Sequence, residues 1–329
     1  MRIGVFTSGG DAPGMNACVR AVVRTAGTHD CEVVGIRRGY QGLLDENFYK
    51  TLDGDETMSM RSVSGIGKLG GTILHTSRCP EMRTEEGLKR AAEILDKHKI
   101  EGLIPIGGDG TFHGAEAICK YWDGKVVGCP GTIDNDLIGT DFTIGFKTAV
   151  QTAVSAVDKI RDTAASHERM FLIEVMGRHS GYIGLFTAIA AGAEIVAIPE
   201  TEEGIEEFVT RLHQIKERGK TSVMMVVSEG DELGDAYQIN EALIAAGNPF
   251  NTRVVKLGHL QRGGSPTADD RILASYLGYA AVVGLLEGRS QVMAGWIHGE
   301  LKYTPFVETY DRHKPVPRRM IDLLDFLAR

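Results

Sequence analysis

Gly102-Leu103-Ile104-Pro105-Ile106-Gly107-Gly108-Asp109-Gly110-Thr111 is the stretch on which the fold turns. Its first half is an apolar run of strand length, and its second half is a glycine-rich turn at a helix start, with one carboxylate among three glycines. The same succession recurs on both sides. Upstream, a run at 3–6 leads through Thr7-Ser8-Gly9-Gly10-Asp11-Ala12-Pro13-Gly14 into a helical pattern at 15–26. Downstream, a run at 126–128 leads into Pro130-Gly131-Thr132-Ile133-Asp134-Asn135-Asp136. Further strands are expected at 32–36, 170–175, 194–198, 222–227 and 253–256. Helices are expected at 84–98, 148–164, 182–191, 205–217, 237–245 and 269–286. Alternation of this kind predicts an α/β protein whose parallel sheets are covered on both faces. Ligands of such sheets gather at the carboxyl ends of the strands, so the loops after strands are where chemistry is to be sought.

The chain has 329 residues, beyond the size at which single cores stop growing, which predicts two domains. No Ser- or Pro-rich linker marks the boundary, and the break is placed near Gly145. With 36 Lys plus Arg against 44 Asp plus Glu the net charge is −8, which argues against nucleic acid and anionic membranes as partners. A hydrophobic share of 43% with 24% charged residues excludes disorder and coiled coil. No apolar run approaches the ~18 residues of a membrane span. The five cysteines form no Cys-x-x-Cys pair and the start MRIGVFTSGG has no signal-peptide layout, so a reduced, cytoplasmic protein is expected. Glycine, 41 of 329 residues, is about twice its usual ~7%, so many turns must approach something closely.

Each loop has its own chemistry. The paired glycines after the first strand let backbone N–H groups approach an anion ahead of a positive helix N-terminus. Asp109 would repel phosphate directly, but it suits Mg²⁺ lying between carboxylate and phosphate oxygens. Of Asp134 and Asp136, one can serve as base on a substrate hydroxyl and the other can help the metal. Asp and Gly also favour plain capped turns, a reading that three such loops in succession make hard to sustain. Arg78, Arg169, Arg178, Arg253 and Arg262 stand in loops with glycine or histidine. Singly they read as solvated charges; together with a metal carboxylate they suggest a phosphorylated substrate. Gly219-Lys220-Thr221 ends like a P-loop, but Gln214 occupies the place of the required glycine. Neither H-R-D nor D-F-G is present, and the ten histidines lack zinc spacing.

Taken together, T-S-G-G-D-A-P-G-M-N (7–16), I-G-G-D-G-T (106–111), P-G-T-I-D-N-D (130–136), G-T-D-F-T-I-G-F (139–146), S-H-E-R (166–169), E-V-M-G-R (174–178) and L-G-H-L-Q-R-G-G-S-P (257–266) resemble the bacterial-type, ATP-dependent 6-phosphofructokinases. The resemblance implies two three-layer αβα domains with mostly parallel sheets and the active site in the cleft between them. An ATP and Mg²⁺ domain would span 1–145 and be rejoined by about 262–305. A fructose 6-phosphate domain would span 146–261 with the C-terminal segment 306–329. The activity implied is phosphoryl transfer from Mg-ATP to the 1-hydroxyl of fructose 6-phosphate in glycolysis. Asp134 would be the base, Asp109 and Asp136 the metal ligands, and Thr132, Arg178 and Gly10 would act at the transferring group. ATP would meet Gly10, Arg78, Cys79, Gly108, Asp109, Gly110 and Thr111. The sugar would meet Met176, Gly177, Glu229 and His259, and its phosphate Arg169, Arg253 and Arg262.

The resemblance further implies a homotetramer in which Arg169 and Arg253 come from the neighbouring subunit. Arg20, Arg24, Arg161, Glu194, Arg218 and Lys220 match an effector pocket for ADP or phosphoenolpyruvate. Arg20 and Arg24, four apart, share one helix face, which suits an anion site or an ordinary wet face. The segment 52–69 departs from the family pattern. Two rival readings are a pyrophosphate-dependent enzyme and a silent regulatory subunit. Retention of Asp109, Asp134 and Arg178 speaks against the second, and Gly110 and Gly131 against the first.

Overall fold

The computed structural model describes residues 1–51 and 54–327. Leu52 and Asp53, where the divergent segment begins, lie outside the described residues, as do Ala328 and Arg329 at the end of the expected 306–329 segment. In chain order the elements are β1 (Arg2–Thr7), α1 (Met15–Thr28), β2 (Glu32–Gly35), α2 (Gly39–Leu44), α3 (Glu85–Lys97), β3 (Gly102–Gly107), α4 (Asp109–Ile118), β4 (Lys125–Thr132), β5 (Ile144–Gly145), α5 (Phe146–His167), β6 (Met170–Val175), α6 (Tyr182–Ala191), β7 (Ile195–Ala197), α7 (Ile205–Glu217), β8 (Val223–Ser228), α8 (Ala236–Ala245), β9 (Thr252–Lys256), α9 (Ala268–Leu286), β10 (Val292–Ile297), β11 (Glu300–Pro305), α10 (Phe306–Tyr310) and α11 (Arg318–Leu327). Side-chain caps mark several starts. Thr84 accepts from Gly87 N at 3.1 Å before α3, and Asp235 accepts from Tyr237 N and Gln238 N before α8.

The chain divides into two units. Unit 1 holds Met1–Ile133, Leu137–Lys147 and Arg262–His313. Its sheet runs β11-β10-β4-β3-β1-β2, with β5 paired to β4; every pair is parallel except β10 with β11. Thr7 pairs with Ile106 and Ile106 with Cys129, so the loops after β1, β3 and β4 emerge side by side. Beneath them Phe6, Leu95, Phe112 and Phe306 are buried in one apolar cluster. Sequence reading missed the β10–β11 hairpin. His298 and Gly299 join its strands with φ of +51° and +85°, and two successive positive-φ residues are what a tight two-residue hairpin turn demands.

Unit 2 holds Asp134–Asp136, Thr148–Gln261 and Lys314–Arg329. Its sheet, β7-β8-β6-β9, is parallel throughout, with Met170 paired to both Val223 and Thr252. Phe208, Leu212, Met225 and Leu243 fill its core. Two boundaries differ from the sequence reading. Residues 306–313 stay with unit 1, because Phe306 stacks on Phe112 at 5.0 Å and Ile138 N donates to Thr309 O. Asp134–Asp136 go with unit 2, where Ser180 Oγ donates to Asp134 O at 3.0 Å and Lys314 Nζ to Asn135 Oδ1 at 3.1 Å.

Candidate active site

In unit 1 the first loop is tied to its neighbours by long-range bonds. Ser8 N donates to Ile106 O at 3.0 Å, and Thr76 Oγ1 to Gly9 O at 2.5 Å. Gly9 stands at φ +83°. The Arg262 guanidinium lies over Gly10, where an added Cβ would come within 2.5 Å of its NH1, and the same nitrogen donates to Asp11 O at 3.2 Å. Arg262 is thus seated against the first loop, 251 residues back in the chain.

Asp109 opens α4, and Gly110 N donates to its Oδ1 at 2.7 Å. The helix N-terminus favours a negative charge here. Thr111 is buried and its carbonyl accepts from Tyr40 Oη at 2.6 Å. A Cβ on Gly108 would stand 3.6 Å from that of Thr132, which brings the Asp109 loop and the end of β4 together. Thr143 Oγ1 donates to Thr132 O at 2.6 Å. The two glycines invoked for the phosphoryl donor differ. Gly110 faces open space, whereas a Cβ on Gly131 would lie 3.0 Å from both Ile106 and Met15, so close packing alone accounts for Gly131. Arg78 is exposed, and Cys79 is half-buried, its thiol pushed up chiefly by that burial.

In unit 2 the carboxyl ends of β6, β8 and β9 carry Met176, Gly177 and Arg178, then Glu229, then His259. Glu229 Oε1 accepts from Arg178 N at 3.0 Å and Gly177 N at 3.4 Å, fixing a turn in which Gly177 has φ +148° and Arg178 φ +54°. Gly230 is obligatory beside it, since a Cβ there would sit 1.5 Å from Arg178 O. Ser180 joins Asp134 to the same end. Asp134 is 3% exposed, and Asn135 between the two carboxylates is buried at φ +54°. Sequence reading gave no role to Ser180, Asn135 or Lys314; the one local hint was an Asn, a residue type enriched at positive φ, within I-D-N-D.

The opposite, amino end of this sheet holds the other charges. Arg169 directly precedes β6, and Arg253 on β9 pairs with Phe171. Six residues of strand at about 3.3 Å each separate Arg169 from Val175, about 20 Å, whereas Arg253, level with Phe171, stands four residues or about 13 Å from that end. Glu194, 2% exposed, accepts from Lys220 Nζ at 2.5 Å and Met224 N at 2.6 Å, with Arg161 NH1 3.8 Å away. Arg218 closes α7 and donates from Nε to Gln214 O. Arg20 and Arg24 lie on α1 of unit 1.

The five cysteines are free, and among the described residues no helix is long and apolar enough to cross a membrane. The solved structures that match define the class as phosphofructokinase-like α/β proteins. The phosphofructokinase of Saccharomyces cerevisiae superposes with a TM-score of 0.85 at 34% identity, over 99% of this chain and 47% of that one; this chain therefore spans about half of the yeast chain. A pyrophosphate-dependent phosphofructokinase from Marinobacter aquaeolei has a TM-score of 0.83 at 24% identity over 97% and 86% of the two chains, a likeness of fold. The family model Phosphofructokinase matches residues 2–285. ATP-dependent 6-phosphofructokinase 1 of Thermus thermophilus is 51% identical over 327 residues, 99% of each chain, and ATP-dependent 6-phosphofructokinase of Shouchella clausii is 48% identical over 99% of each. The chain belongs to the phosphofructokinase family.

Proposed function

We propose that this chain phosphorylates fructose 6-phosphate with ATP through the loops described above. The activity is that of a glycolytic kinase, transferring the γ-phosphoryl of ATP to the 1-hydroxyl of the sugar phosphate. The observation that carries the role of unit 1 is the juxtaposition of three loops at adjacent strand ends, with Gly108 beside Thr132. Gly10, Gly108 and Thr111 offer the nucleotide a close backbone approach, with Arg78 and Cys79 on the segment bonded to Gly9. Asp109 and Asp136 would hold Mg²⁺: hard oxygen donors, few in number and supplemented by substrate phosphates, are the set this ion prefers. When bound it neutralises charge on the triphosphate.

Asp134 takes the proton of the attacking hydroxyl, while Thr132 and Arg178 hold the transferring group. Met176, Gly177, Glu229 and His259 bind the sugar, with Arg262 near its phosphate. Arg169 and Arg253, about 20 Å and about 13 Å from that end of their own sheet, serve a neighbouring copy's substrate, which makes the working form a homotetramer. Arg161, Glu194, Arg218 and Lys220, with Arg20 and Arg24, take an anionic effector, ADP or phosphoenolpyruvate. The enzyme works in the cytoplasm, in keeping with its free cysteines.

Initial rates with saturating fructose 6-phosphate and Mg²⁺, with ATP or pyrophosphate as donor, test this reading. ATP supports turnover and pyrophosphate gives little or none. Gly110→Asp places a charge in the open space beside Gly110 and lowers ATP use at least ~10-fold, the equivalent of 1.4 kcal/mol. Comparable wild-type efficiency with pyrophosphate overturns it.

A further inference from the structure

Lys314 opens the C-terminal segment of unit 2 and has no place in the scheme above. Its Nζ donates at 3.1 Å to Oδ1 of Asn135, 179 residues earlier in the chain. Asn135 is fully buried between Asp134 and Asp136 and stands at φ +54°, in the left-handed region that asparagine enters more readily than most residues but still at a cost. A backbone held there persists only where its surroundings over-determine it, and an ammonium on the side-chain carbonyl is a strong tie of that kind. The preceding peptide is fixed as well, since Ser180 Oγ donates to Asp134 O at 3.0 Å. The turn that presents Asp134 is thus gripped at two successive residues, by Ser180 on the backbone and by Lys314 through a side chain.

Lys314 is itself placed by Tyr182, which is buried at the start of α6. Tyr182 Oη donates to Pro315 O at 2.9 Å, and the Lys314 ammonium lies 5.0 Å from the centre of the same ring, within cation–π range. The C-terminal segment has further anchors of its own. Val316 and Leu324 are buried, and Asp325 Oδ1 accepts from Arg211 NH2 at 3.1 Å. The dependence therefore runs from an anchored segment to the loop of Asp134, and the bond to Asn135 is not what keeps the segment in place.

We propose that Lys314 is a positioning residue for phosphoryl transfer: by holding the side chain of Asn135 it fixes the turn from which Asp134 reaches the attacking hydroxyl. The inference rests on the reading of Asp134 as the base. Lys314 acts through Asn135, so its removal misplaces the base and leaves the substrate contacts of the other loops as they were.

The test is steady-state kinetics on the full chain. Lys314→Met keeps an apolar stem and removes the donor; its kcat falls roughly 10-fold to 100-fold, while KM for ATP and for fructose 6-phosphate each change less than about threefold. Lys314→Arg restores a cationic donor and regains most of the loss. Asn135→Gly tolerates the left-handed backbone and offers no side-chain acceptor, so in that background Lys314→Met has no further effect on kcat. Hydrogen exchange without substrates shows residues 133–138 losing protection in Lys314→Met and not in Lys314→Arg. A Lys314→Met variant that keeps half its kcat, a loss carried by KM, an equal loss in Lys314→Arg, or losses that multiply with Asn135→Gly overturns the proposal. If Asp134→Asn keeps its kcat, the base assignment has failed, and the exchange measurement still decides whether Lys314 fixes the turn: equal protection in Lys314→Met and the wild type means that it does not.

Discussion

An attacking hydroxyl must lose its proton to something, and Asp134 is the buried carboxylate whose backbone Ser180 ties to the carboxyl end of the unit 2 sheet. Asp134→Asn keeps the shape and removes the acceptor. We expect kcat to fall by roughly 10²–10⁴ with a far smaller change in KM for fructose 6-phosphate, measured by steady-state assay. A variant keeping half its kcat removes Asp134 from the base role. Glycine positions separate equally well at this scale. Gly131→Ala presses a methyl to 3.0 Å of Ile106 and Met15 and should cost about 1–3 kcal/mol in denaturant unfolding. Gly110→Ala, facing open space, should cost no stability. Equal unfolding free energies for the two would contradict the packing described here.

The elements place these residues by packing that is local in some cases and distant in others. The bounds of β6, α6 and α7 agree with the expected 170–175, 182–191 and 205–217, because β-branched runs and amphipathic spacing are written in adjacent residues. The helix α10 has five residues and no such signal; it is held by Phe306, 1% exposed and stacked on Phe112. Phe306→Ala leaves a cavity and should lower unfolding free energy by about 3–5 kcal/mol, with a fall in Tm that calorimetry reads. A loss below 1 kcal/mol would mean that α10 is not anchored by this stack. The hairpin of β10 and β11 escaped notice for a related reason: its strands mix polar and apolar residues, and the His298-Gly299 turn declares itself only through backbone angles.

For the molecule as a whole, the unit 2 sheet carries Arg253 towards its amino end and Met176 and Glu229 at its carboxyl end, and Arg253 is proposed to serve a neighbouring copy. Mixing inactive Asp134→Asn subunits with weak-binding Arg253→Ala subunits should restore activity, since some sites then join an intact Asp134 to an intact Arg253. Absence of any recovery, with mixed assembly verified by native mass spectrometry, assigns Arg253 to its own chain. What the sequence determined by itself was most of the alternation of strands and helices as far as α9 and the chemistry of each loop, because both depend on neighbours a few residues apart. What only the tertiary structure decided was where distant loops meet: Arg262 over Gly10, Arg37 against His75, Met15 and Ile106 closing on Gly131, and Arg169 at the far end of its sheet. Those contacts join residues tens to hundreds of positions apart, and side-chain packing across such spans leaves no periodic trace in the chain.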